Sequence, residues 1–472
     1  MLKGRWGYLL VLFSLMFLFA SEGPMTPSAR SEPSPFLIRN AALIITMDPA
    51  VGAGPLGLLE DSDLLLTGDT IAAIGPGLRT RGDTIDATGK IVLPGFVDVH
   101  NHLWQSLIRG CGTDLDLLGW LEDCTSAFKR LAYTESDIAA GVRLSTLDLI
   151  TTGVTTVVDW SPAWSPEFVR GNLRALDESG LRFVFAYVGS TDRKDSEHIR
   201  RIKRQMIAPN PRATLQVGAH PSTDKRWLAE LTAMSELARE LDVALHVHLL
   251  ENFKQRKEQP MRALKRADAL GANLLAAHAI HLTAQEIATL AKHEVRVAHN
   301  PLSNMRLASG IIPLPELHAA GIKVGLGLDG GTNDTSDMFN TMRAAVGLQR
   351  ATSRRPDVFP TVIDVLRMAT IGGAEVLDLD TQIGSLTPGK KADVIILDPS
   401  RVNFAPQVEW LSQIVFNGQP GNVEWVFVDG RPLKARGRLV DVDPTAIVRE
   451  AEEAARRLRR EPHKHEGASL ER

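Results

Sequence analysis

The chain has 472 residues, of which 44% are hydrophobic and 23% are charged, and its formal net charge at pH 7 is −3. This length fits one large domain with a smaller one, and the composition is that of a globular protein. The near-neutral charge gives no electrostatic indication of binding to a nucleic-acid polymer. The two cysteines, Cys111 and Cys124, are too few for a disulfide framework and lie in no metal-binding spacing.

The first 24 residues combine two basic residues with an apolar run from Tyr8 to Ala20. The run is shorter than a membrane span and has the length of the apolar region of a signal peptide. We therefore expect residues 1–24 to be a signal peptide or membrane anchor, which would make the protein exported (periplasmic, secreted or membrane-tethered). A mis-assigned start, with Met25 as the true first residue, would leave the protein cytoplasmic. Residues 25–35 form a linker rich in Ser and Pro.

Short apolar runs separated by Gly, Asp and Asn occupy residues 36–93, and the same pattern returns in residues 384–440. Such a pattern is typical of antiparallel strands. We expect the two pieces to pair into one small β-sandwich domain built from both chain ends. Residues 441–472 mix acidic and basic residues, as a solvated amphipathic helix and tail do.

The centre of the chain, residues 94–383, contains eight apolar, strand-like segments, most of them separated by segments with helical spacing. Near-continuous apolar runs are typical of parallel strands that are buried on both faces. Eight such repeats predict an α/β fold, the (β/α)8 TIM barrel. The segments are GFVDVHNH, VTTVVDW, RFVFAYVG, TLQVGAH, ALHVHLLE, LLAAHAI, VRVAHNP and KVGLGLDG.

Polar residues end most of these strands. They are His100, His102, Asp159, His220, His248, His278, His299 and Asp329. In a (β/α)8 barrel the carboxyl ends of the strands carry the active site. We therefore expect the chemistry of this protein at that rim.

Several of these residues form a candidate metal site. His100 and His102 are two residues apart on the first strand, so both side chains face the barrel interior. His246 and His248 do the same on the fifth strand, with His248 nearer the rim. Asp329 closes the eighth strand, which neighbours the first in a closed barrel. Three imidazoles and one carboxylate would leave a coordination position open for water, as a catalytic metal site needs.

The chain resembles the amidohydrolase superfamily, and within it the cytosine-deaminase-like and triazine-hydrolase-like aminohydrolases. The resemblance spans residues 36 to about 435. The motifs that carry it are PGFVDVHNH, GVTTVVD, HLLE, AHAIHL, HNPLSNMRLASG, GLGLDGG and IGSLTPGKKADVIILD.

The resemblance implies a single divalent metal ion, zinc in many members and iron in some. Its ligands would be His100, His102, His248 and Asp329. Glu251 in HLLE corresponds to the proton-shuttling carboxylate, and His278 to the histidine beside the nucleophile and the substrate. Asp329 would also accept a hydrogen bond from the nucleophile. Binuclear members carry a modified lysine at the end of the fourth strand, where LQVGAHP has none, so we expect one ion.

Substrate contacts are expected in the loops that follow the strands. The candidates are Trp104, Gln105, Arg109, His220 and His299. Trp104, or Trp120 further along, would stack on a flat ring, and the alternative for both is packing within the loop. For His220 the alternative is a bond to the backbone.

The sequence thus predicts a metal-dependent aminohydrolase that deaminates a heteroaromatic amine such as a purine, pyrimidine or triazine. One alternative is hydrolysis of a linear or cyclic amide on the same barrel, because specificity lies in the loops. The other is a non-catalytic scaffold, which should have lost the ligands or the shuttling acid, whereas this chain retains them. Relatives in this superfamily are commonly homo-oligomers, so we expect one here as well.

Overall fold

The computed structural model describes residues 35–333 and 335–460. The predicted signal peptide or anchor, nearly all of the linker and the predicted tail beyond residue 460 lie outside the described residues. Within the described ranges, no helix has both the length and the apolar character needed to cross a membrane.

Within residues 35–333 and 335–460, seventeen strands form two sheets, and the barrel strands lie between the two groups of strands of the second sheet. Five precede the barrel: β1 (Phe36–Ile45), β2 (Leu58–Thr67), β3 (Thr70–Gly75), β4 (Asp83–Asp86) and β5 (Ile91–Pro94). Eight form it: β6 (Phe96–Asn101), β7 (Val154–Ser161), β8 (Arg182–Val188), β9 (Ala213–Ala219), β10 (Ala244–Leu249), β11 (Leu274–His278), β12 (Arg296–His299) and β13 (Val324–Leu326). Four follow it: β14 (Val394–Leu397), β15 (Val423–Val428), β16 (Arg431–Ala435) and β17 (Arg438–Leu439).

The predicted barrel is confirmed. Strands β6 to β13 are parallel and pair in chain order, each with the next. Between β13 and β6, the backbone N–H groups of Leu328 and Asp329 donate to the carbonyl oxygen of His100 at 3.1 and 2.9 Å. The seam between the last and first strands therefore lies at the predicted metal site.

Helices alternate with the strands. They are α1 (Leu117–Trp120), α2 (Ala127–Lys129), α3 (Glu135–Thr152), α4 (Pro166–Ser179), α5 (Arg193–Ile202), α6 (Lys225–Leu241), α7 (Pro260–Arg266), α8 (Ala284–Lys292), α9 (Pro301–Arg306), α10 (Leu314–Ala319), α11 (Met338–Ser353), α12 (Val362–Met368), α13 (Ile371–Val376), α14 (Trp410–Asn417) and α15 (Pro444–Arg460). Local sequence sets their ends. A capping box of Thr134 and Asp137 starts α3, and Gly153, with φ of 94°, ends it one residue before β7 begins.

The second sheet is also built from both chain ends, as expected. Its strands follow the order β17-β16-β15-β14-β5-β1-β2-β3, with β4 beside β1, so they form one mixed, nine-stranded sheet. The two ends meet where β5 pairs with β14, with Leu93 opposite Ile395. Apolar side chains such as Ile44 and Phe427 form a small core on this sheet.

A buried ion cluster joins the two sheets. Arg182, at the start of β8 in the barrel, donates from Nε to the Asp393 carboxylate at 2.9 Å and from Nη2 to the Asp429 carboxylate. All three side chains are nearly fully buried. Buried charges are tolerated only when they are paired in this way, so the cluster fixes how the barrel meets the sheet.

The two cysteines, to which spacing assigned no role, are joined in a disulfide bond. Cys111 follows a 3-10 helix (Leu103–Ile108) in the loop after β6, and Cys124 lies in a π-helical turn (Leu121–Ser126). The bond therefore closes part of the first rim loop on itself. Nearby, α15 packs against α3, where Arg457 pairs with Asp137.

Candidate active site

Four side chains converge at the carboxyl end of the barrel. Nε2 of His100 and Nε2 of His102 each lie 3.2 Å from Oδ1 of Asp329. Nε2 of His248 lies 3.3 Å from Nε2 of His102. The donor atoms of the four residues all lie within 4.8 Å of one another and could hold a metal ion.

This arrangement fits a divalent metal ion. Donors 3.2–3.3 Å apart have the spacing of tetrahedron corners around an ion with bonds of about 2.0–2.1 Å. His100 Nε2 is fully buried and has no hydrogen-bond partner among the described residues. An orphaned buried nitrogen is costly, and a bound cation satisfies it. The predicted set of three imidazoles and one carboxylate therefore has the geometry of a metal centre.

Backbone contacts orient the first-strand donors. Nδ1 of His102 lies 2.9 Å from the carbonyl oxygen of Trp160, so this nitrogen carries the proton and donates. The lone pair of His102 is then on Nε2, the atom that faces Asp329. Hydrogen bonds of this kind to the distal ring nitrogen fix the tautomer of metal-binding histidines.

Asp329 occupies an unusual backbone position. Its φ is 57°, in the left-handed region that non-glycine residues rarely adopt. Gly330 follows with φ of 64°, and a Cβ there would lie 2.7 Å from Oε1 of Gln105. Gly330 therefore permits a tight turn against the first loop. The hydroxyl of Ser303 donates to Oδ2 of Asp329, which leaves Oδ1 facing the histidines.

Electrostatics keep Asp329 ionised. Burial by itself raises the pKa of this carboxyl, but the nearby imidazoles of His278, His100 and His102 outweigh it and hold the pKa well below its usual range. Burial lowers the pKa of His100 and of His248. For His102, burial lowers the pKa, but the contacts with Asp329 outweigh it and raise the pKa. The site therefore combines one carboxylate with neutral imidazoles at His100 and His248, and a metal ion held by Nε2 of His102 would require the neutral form of that ring as well.

Glu251 and His278 lie beside this cluster. Oε2 of Glu251 is 3.5 Å from Nε2 of His278, which is 3.8 Å from Oδ2 of Asp329. Glu251 is 4% exposed and His278 is fully buried. Burial, together with the charge of Asp329, raises the pKa of Glu251 well above its ordinary value. A buried carboxyl with a raised pKa can both accept and return a proton near neutral pH.

His278 is held by the seventh loop. Nδ2 of Asn304 and Nδ2 of Asn300 lie 2.8 and 3.3 Å from Nδ1 of His278, so Nδ1 accepts and the proton is on Nε2. Burial lowers the pKa of His278 to about 3, so the ring is a neutral donor. Its φ of 70° is in the left-handed region. Asn300 and Asn304 thus orient a catalytic candidate.

The first-loop candidates have different surroundings. Oε1 of Gln105 accepts from the N–H of Gly331 at 2.9 Å, beside the metal cluster. The Trp104 indole is 1% exposed and packs against Phe128, Trp164 and Phe168. It therefore packs within the loop, which was the alternative, and has no free face on which a substrate ring could stack. Arg109 pairs with Asp148 at 2.8 Å on an exposed surface.

The two histidine candidates also differ. Nε2 of His220 lies 2.6 Å from the Glu258 carboxylate, and its ring contacts Trp227, so it bonds to a side chain. His299 is 2% exposed, and neither of its ring nitrogens has a hydrogen-bond partner within the described ranges. Burial lowers the pKa of His299 to about 3.

Two buried aspartates support the rim. Oδ1 of Asp98 accepts from the N–H of Leu328 at 3.0 Å and so ties β6 to the Asp329 turn. Asp159 accepts from the N–H of Leu103 at 2.9 Å and from Asn172, so it holds the first loop. This contact of Asp98 across the seam depends on the register of both strands and was not predicted from the sequence.

The fold and site together define a metal-dependent hydrolase of the (β/α)8 barrel type. The model of the amidohydrolase family matches residues 91–433, so the chain belongs to that family. The resemblance inferred from the motifs is confirmed.

Two curated relatives match over nearly their whole length. The chain is 35% identical over 439 residues to 5-methylthioadenosine/S-adenosylhomocysteine deaminase of Desulforudis audaxviator (strain MP104C), covering 89% of this chain and 98% of that protein. It is 33% identical over 437 residues to 5'-deoxyadenosine deaminase of Methanobrevibacter smithii, covering 88% and 98%.

Solved structures agree. A zinc-bound adenosine deaminase from Xanthomonas campestris is 27% identical, covers 91% of this chain and 99% of its own, and superposes with a TM-score of 0.83. Atrazine chlorohydrolase of Arthrobacter aurescens TC1, complexed with zinc, is 25% identical over 89% of this chain and 100% of its own, with a TM-score of 0.81. The chain is therefore a metal-dependent hydrolase of carbon–nitrogen bonds, as predicted.

Proposed function

We propose that the protein deaminates adenine nucleosides without a free 5′-hydroxyl group, such as 5′-deoxyadenosine and 5′-methylthioadenosine, and releases ammonia. The observation that carries the proposal is the position of Glu251, next to His278 and the four-donor cluster. A proton-transferring carboxyl at this place suits replacement of a ring amino group by hydroxyl. The substrate class is supported by the names of the relatives that match most of the chain.

We propose that one divalent ion, zinc rather than iron, is held by His100, His102, His248 and Asp329. Zinc is the ion in the neighbouring structures and prefers nitrogen and carboxylate donors in tetrahedral sites. When bound, such an ion lowers the pKa of water to about 7 and supplies a nucleophile at neutral pH. The fourth barrel strand carries Gly218 and no lysine, which supports a single ion.

Side chains of the protein transfer the protons and stabilise the added oxygen. Oε2 of Glu251 takes one proton of the attacking water and gives it to N1 of the purine as the oxygen adds at C6, so that the addition leaves no stranded charge. The remaining hydroxyl proton is then transferred to the 6-amino group, the C6–N bond breaks, and ammonia leaves a 6-oxo product. The Nε2–H group of His278 donates to the oxygen that adds to the ring. Asn300 and Asn304 hold His278, and Ser303 holds Asp329, so these two side chains need little reorganisation during the reaction.

Substrate selection falls to the side chains around the metal cluster. Gly331 fixes Oε1 of Gln105, so the Nε2 amide points away from the turn and is a donor for a ring nitrogen. Among the residues that the structure describes, neither ring nitrogen of His299 has a hydrogen-bond partner, so its one N–H group is available for the same purpose. His220, held by Glu258, is a candidate for contact with the ribose. Arg109 and Trp104 are the weakest candidates because their partners lie elsewhere.

A second candidate function is displacement of another leaving group from a flat heterocycle, or hydrolysis of an amide. Structures of triazine-converting enzymes superpose closely with this chain, which favours the first of these. The product distinguishes the possibilities, since only deamination releases ammonia from an amino-purine.

The proposal is tested by ammonia release from a panel of adenosine, 5′-deoxyadenosine, 5′-methylthioadenosine, S-adenosylhomocysteine, cytosine and atrazine with zinc-loaded protein. We expect the 5′-modified nucleosides to have the highest kcat/KM. Glu251→Gln should lower kcat by about 10²–10⁴-fold. Glu240→Gln, on the exposed face of α6, is the matched control and should retain activity. Chloride release from atrazine without deamination of any nucleoside would favour the second candidate.

We also propose that the protein is exported. The apolar run from Tyr8 to Ala20 supports this, as does the disulfide between Cys111 and Cys124, because disulfides persist in oxidising compartments. N-terminal sequencing of the native protein tests the proposal. A mature terminus near Ser21 supports export, and a terminus at Met25 with free thiols contradicts it.

A further inference from the structure

Trp160, at the end of β7, contacts two of the proposed metal ligands. Its ring centroid lies 4.5 Å from that of His248 and 5.4 Å from that of His102, and the ring planes meet at 86° and 81°. The two imidazoles are themselves parallel within 6°. One indole thus stands perpendicular to two ligand rings from β6 and β10. Edge-to-face contacts at these distances are favourable and define the orientation of both partners.

The same residue holds His102 by its backbone. The Trp160 carbonyl accepts from Nδ1 of His102 at 2.9 Å, which directs the Nε2 lone pair toward the centre of the cluster. The carbonyl therefore sets the tautomer of His102, and the indole sets the plane of its ring. The indole also contacts the His248 ring and opposes its rotation toward β7.

Gly218 on β9 leaves the space that the indole occupies. A Cβ at Gly218 would lie 3.0 Å from Nε1 and 3.3 Å from Cε2 of Trp160, and 2.9 Å from Cγ2 of Val188. Nε1 also lies 3.4 Å from the carbonyl oxygen of His246. The indole thus extends from β7 across to β9 and β10 and is confined between Gly218 and the two imidazoles.

We propose that Trp160 is a positioning residue of the metal centre, which keeps the His102 and His248 rings parallel and at the separation that one ion requires. Gly218 is part of this arrangement, because a side chain at that position would collide with the indole. The inference rests on the proposed ligand set. It assigns a role to two residues that are neither proposed metal ligands, nor the proton-shuttling carboxyl, nor predicted substrate contacts.

The first experiment compares Trp160→Ala and Trp160→Phe with Trp164→Phe. Trp164 lies four residues further on, in the connection between β7 and α4, and packs against Trp104 and Phe168. The readouts are the Kd for zinc, by competition with a chromophoric chelator, and the visible absorption spectrum of the cobalt-substituted protein. Trp160→Ala should weaken zinc binding by about 10–100-fold and change the cobalt spectrum, and Trp160→Phe should do so less. Trp164→Phe should change neither.

A coupling measurement guards against a merely structural effect. Gly218→Ala, made in a Val188→Ala background to remove the other close contact, should weaken zinc binding when Trp160 is present. It should have little effect in Trp160→Phe, where the ring is smaller. Circular dichroism of the metal-free variants establishes that they are folded. Equal losses from Gly218→Ala in both backgrounds, or an unchanged zinc Kd and cobalt spectrum in folded Trp160→Ala, would overturn the proposal.

These readouts need no substrate, so they separate this inference from the proposed reaction. A protein that deaminates no adenine nucleoside but shows the predicted zinc and cobalt effects refutes the substrate assignment alone. Unchanged zinc affinity in His248→Ala would overturn the ligand set and the role of Trp160 together.

Discussion

Nδ1 of His100 lies 3.0 Å from Nε2 of His246, a fully buried histidine two residues before His248 on β10. Nδ1 of His246 lies in turn 3.0 Å from Oε1 of Gln216. An amide oxygen only accepts, so His246 carries its proton on Nδ1 and accepts from His100 with Nε2. His100 then has its lone pair on Nε2, facing Asp329. A chain of three side chains thus sets the tautomer of a proposed ligand.

Gln216→Met should therefore weaken metal binding. The substitution keeps the volume of the side chain but removes the acceptor that fixes the His246 proton. We expect the Kd for zinc to rise by about 10–100-fold, measured by chelator competition. The control is Gln349→Met, which removes a buried amide that donates to Ile312 and should leave the zinc Kd unchanged. An equal effect of the two substitutions would contradict the role of Gln216.

Glu251→Gln should stabilise the metal-free protein at neutral pH. The pKa of Glu251 is raised, so its protonated form stabilises the fold below the ordinary value near 4.5, and this contribution is lost as the pH rises through the raised pKa. Wild type and Glu251→Gln should have similar free energies of unfolding at pH 4, and the variant should be more stable at pH 8. Urea unfolding in chelator measures this. A variant that is less stable at pH 8 would contradict the assigned direction.

Lys434 provides a pH test far from the site. Its side chain is 5% exposed, Nζ donates to the carbonyl oxygen of Thr151, and burial lowers the pKa to about 8. A lowered lysine pKa makes the fold less stable below the folded pKa and relieves this cost as pH rises from 8 toward the ordinary value of 10.5. Lys434→Met should stabilise the protein by roughly 1–2 kcal/mol at pH 7, allowing for the lost hydrogen bond. The gain should shrink by pH 9.5, and the exposed Lys225→Met should show no such trend.

Arg182→Met should destabilise the protein strongly. It would leave the Asp393 and Asp429 carboxylates buried without their shared cation. Removing one partner of a buried ion pair costs about 3–5 kcal/mol, measurable by denaturant unfolding. Arg193→Met breaks only the exposed pair with Glu197 and should change the free energy of unfolding little. Similar losses in the two variants would contradict the idea that this cluster joins the two sheets.

The barrel and the donor set were predictable because they depend on local periodicity. Alternation places His100 and His102 on one face, and strand ends in a parallel barrel meet at one rim. The pairing of strands from the two chain ends followed from matching apolar runs. These inferences depend only on which face of a strand a residue occupies, and not on its rotamer or its contacts with distant segments.

The rest depends on contacts between distant segments. Trp160 reaches β9 and β10 from β7, and only the three-dimensional path of its indole explains Gly218. The left-handed conformations of His278 and Asp329 have no sequence signature, since neither residue is a glycine. The partners of Arg182 lie 211 and 247 residues away. The burial of Trp104 likewise depends on helices that pack over its loop.

The central claim is that Glu251 transfers the proton in replacing the 6-amino group of an adenine nucleoside by an oxygen from water. The most direct measurement is the reaction of zinc-loaded protein with 5′-deoxyadenosine in water enriched in ¹⁸O, followed by mass spectrometry and ammonia assay. We predict one ammonia per nucleoside, a 6-oxo product that carries ¹⁸O, and loss of both in Glu251→Gln. Unlabelled product, absence of ammonia, or full activity in Glu251→Gln would contradict the account.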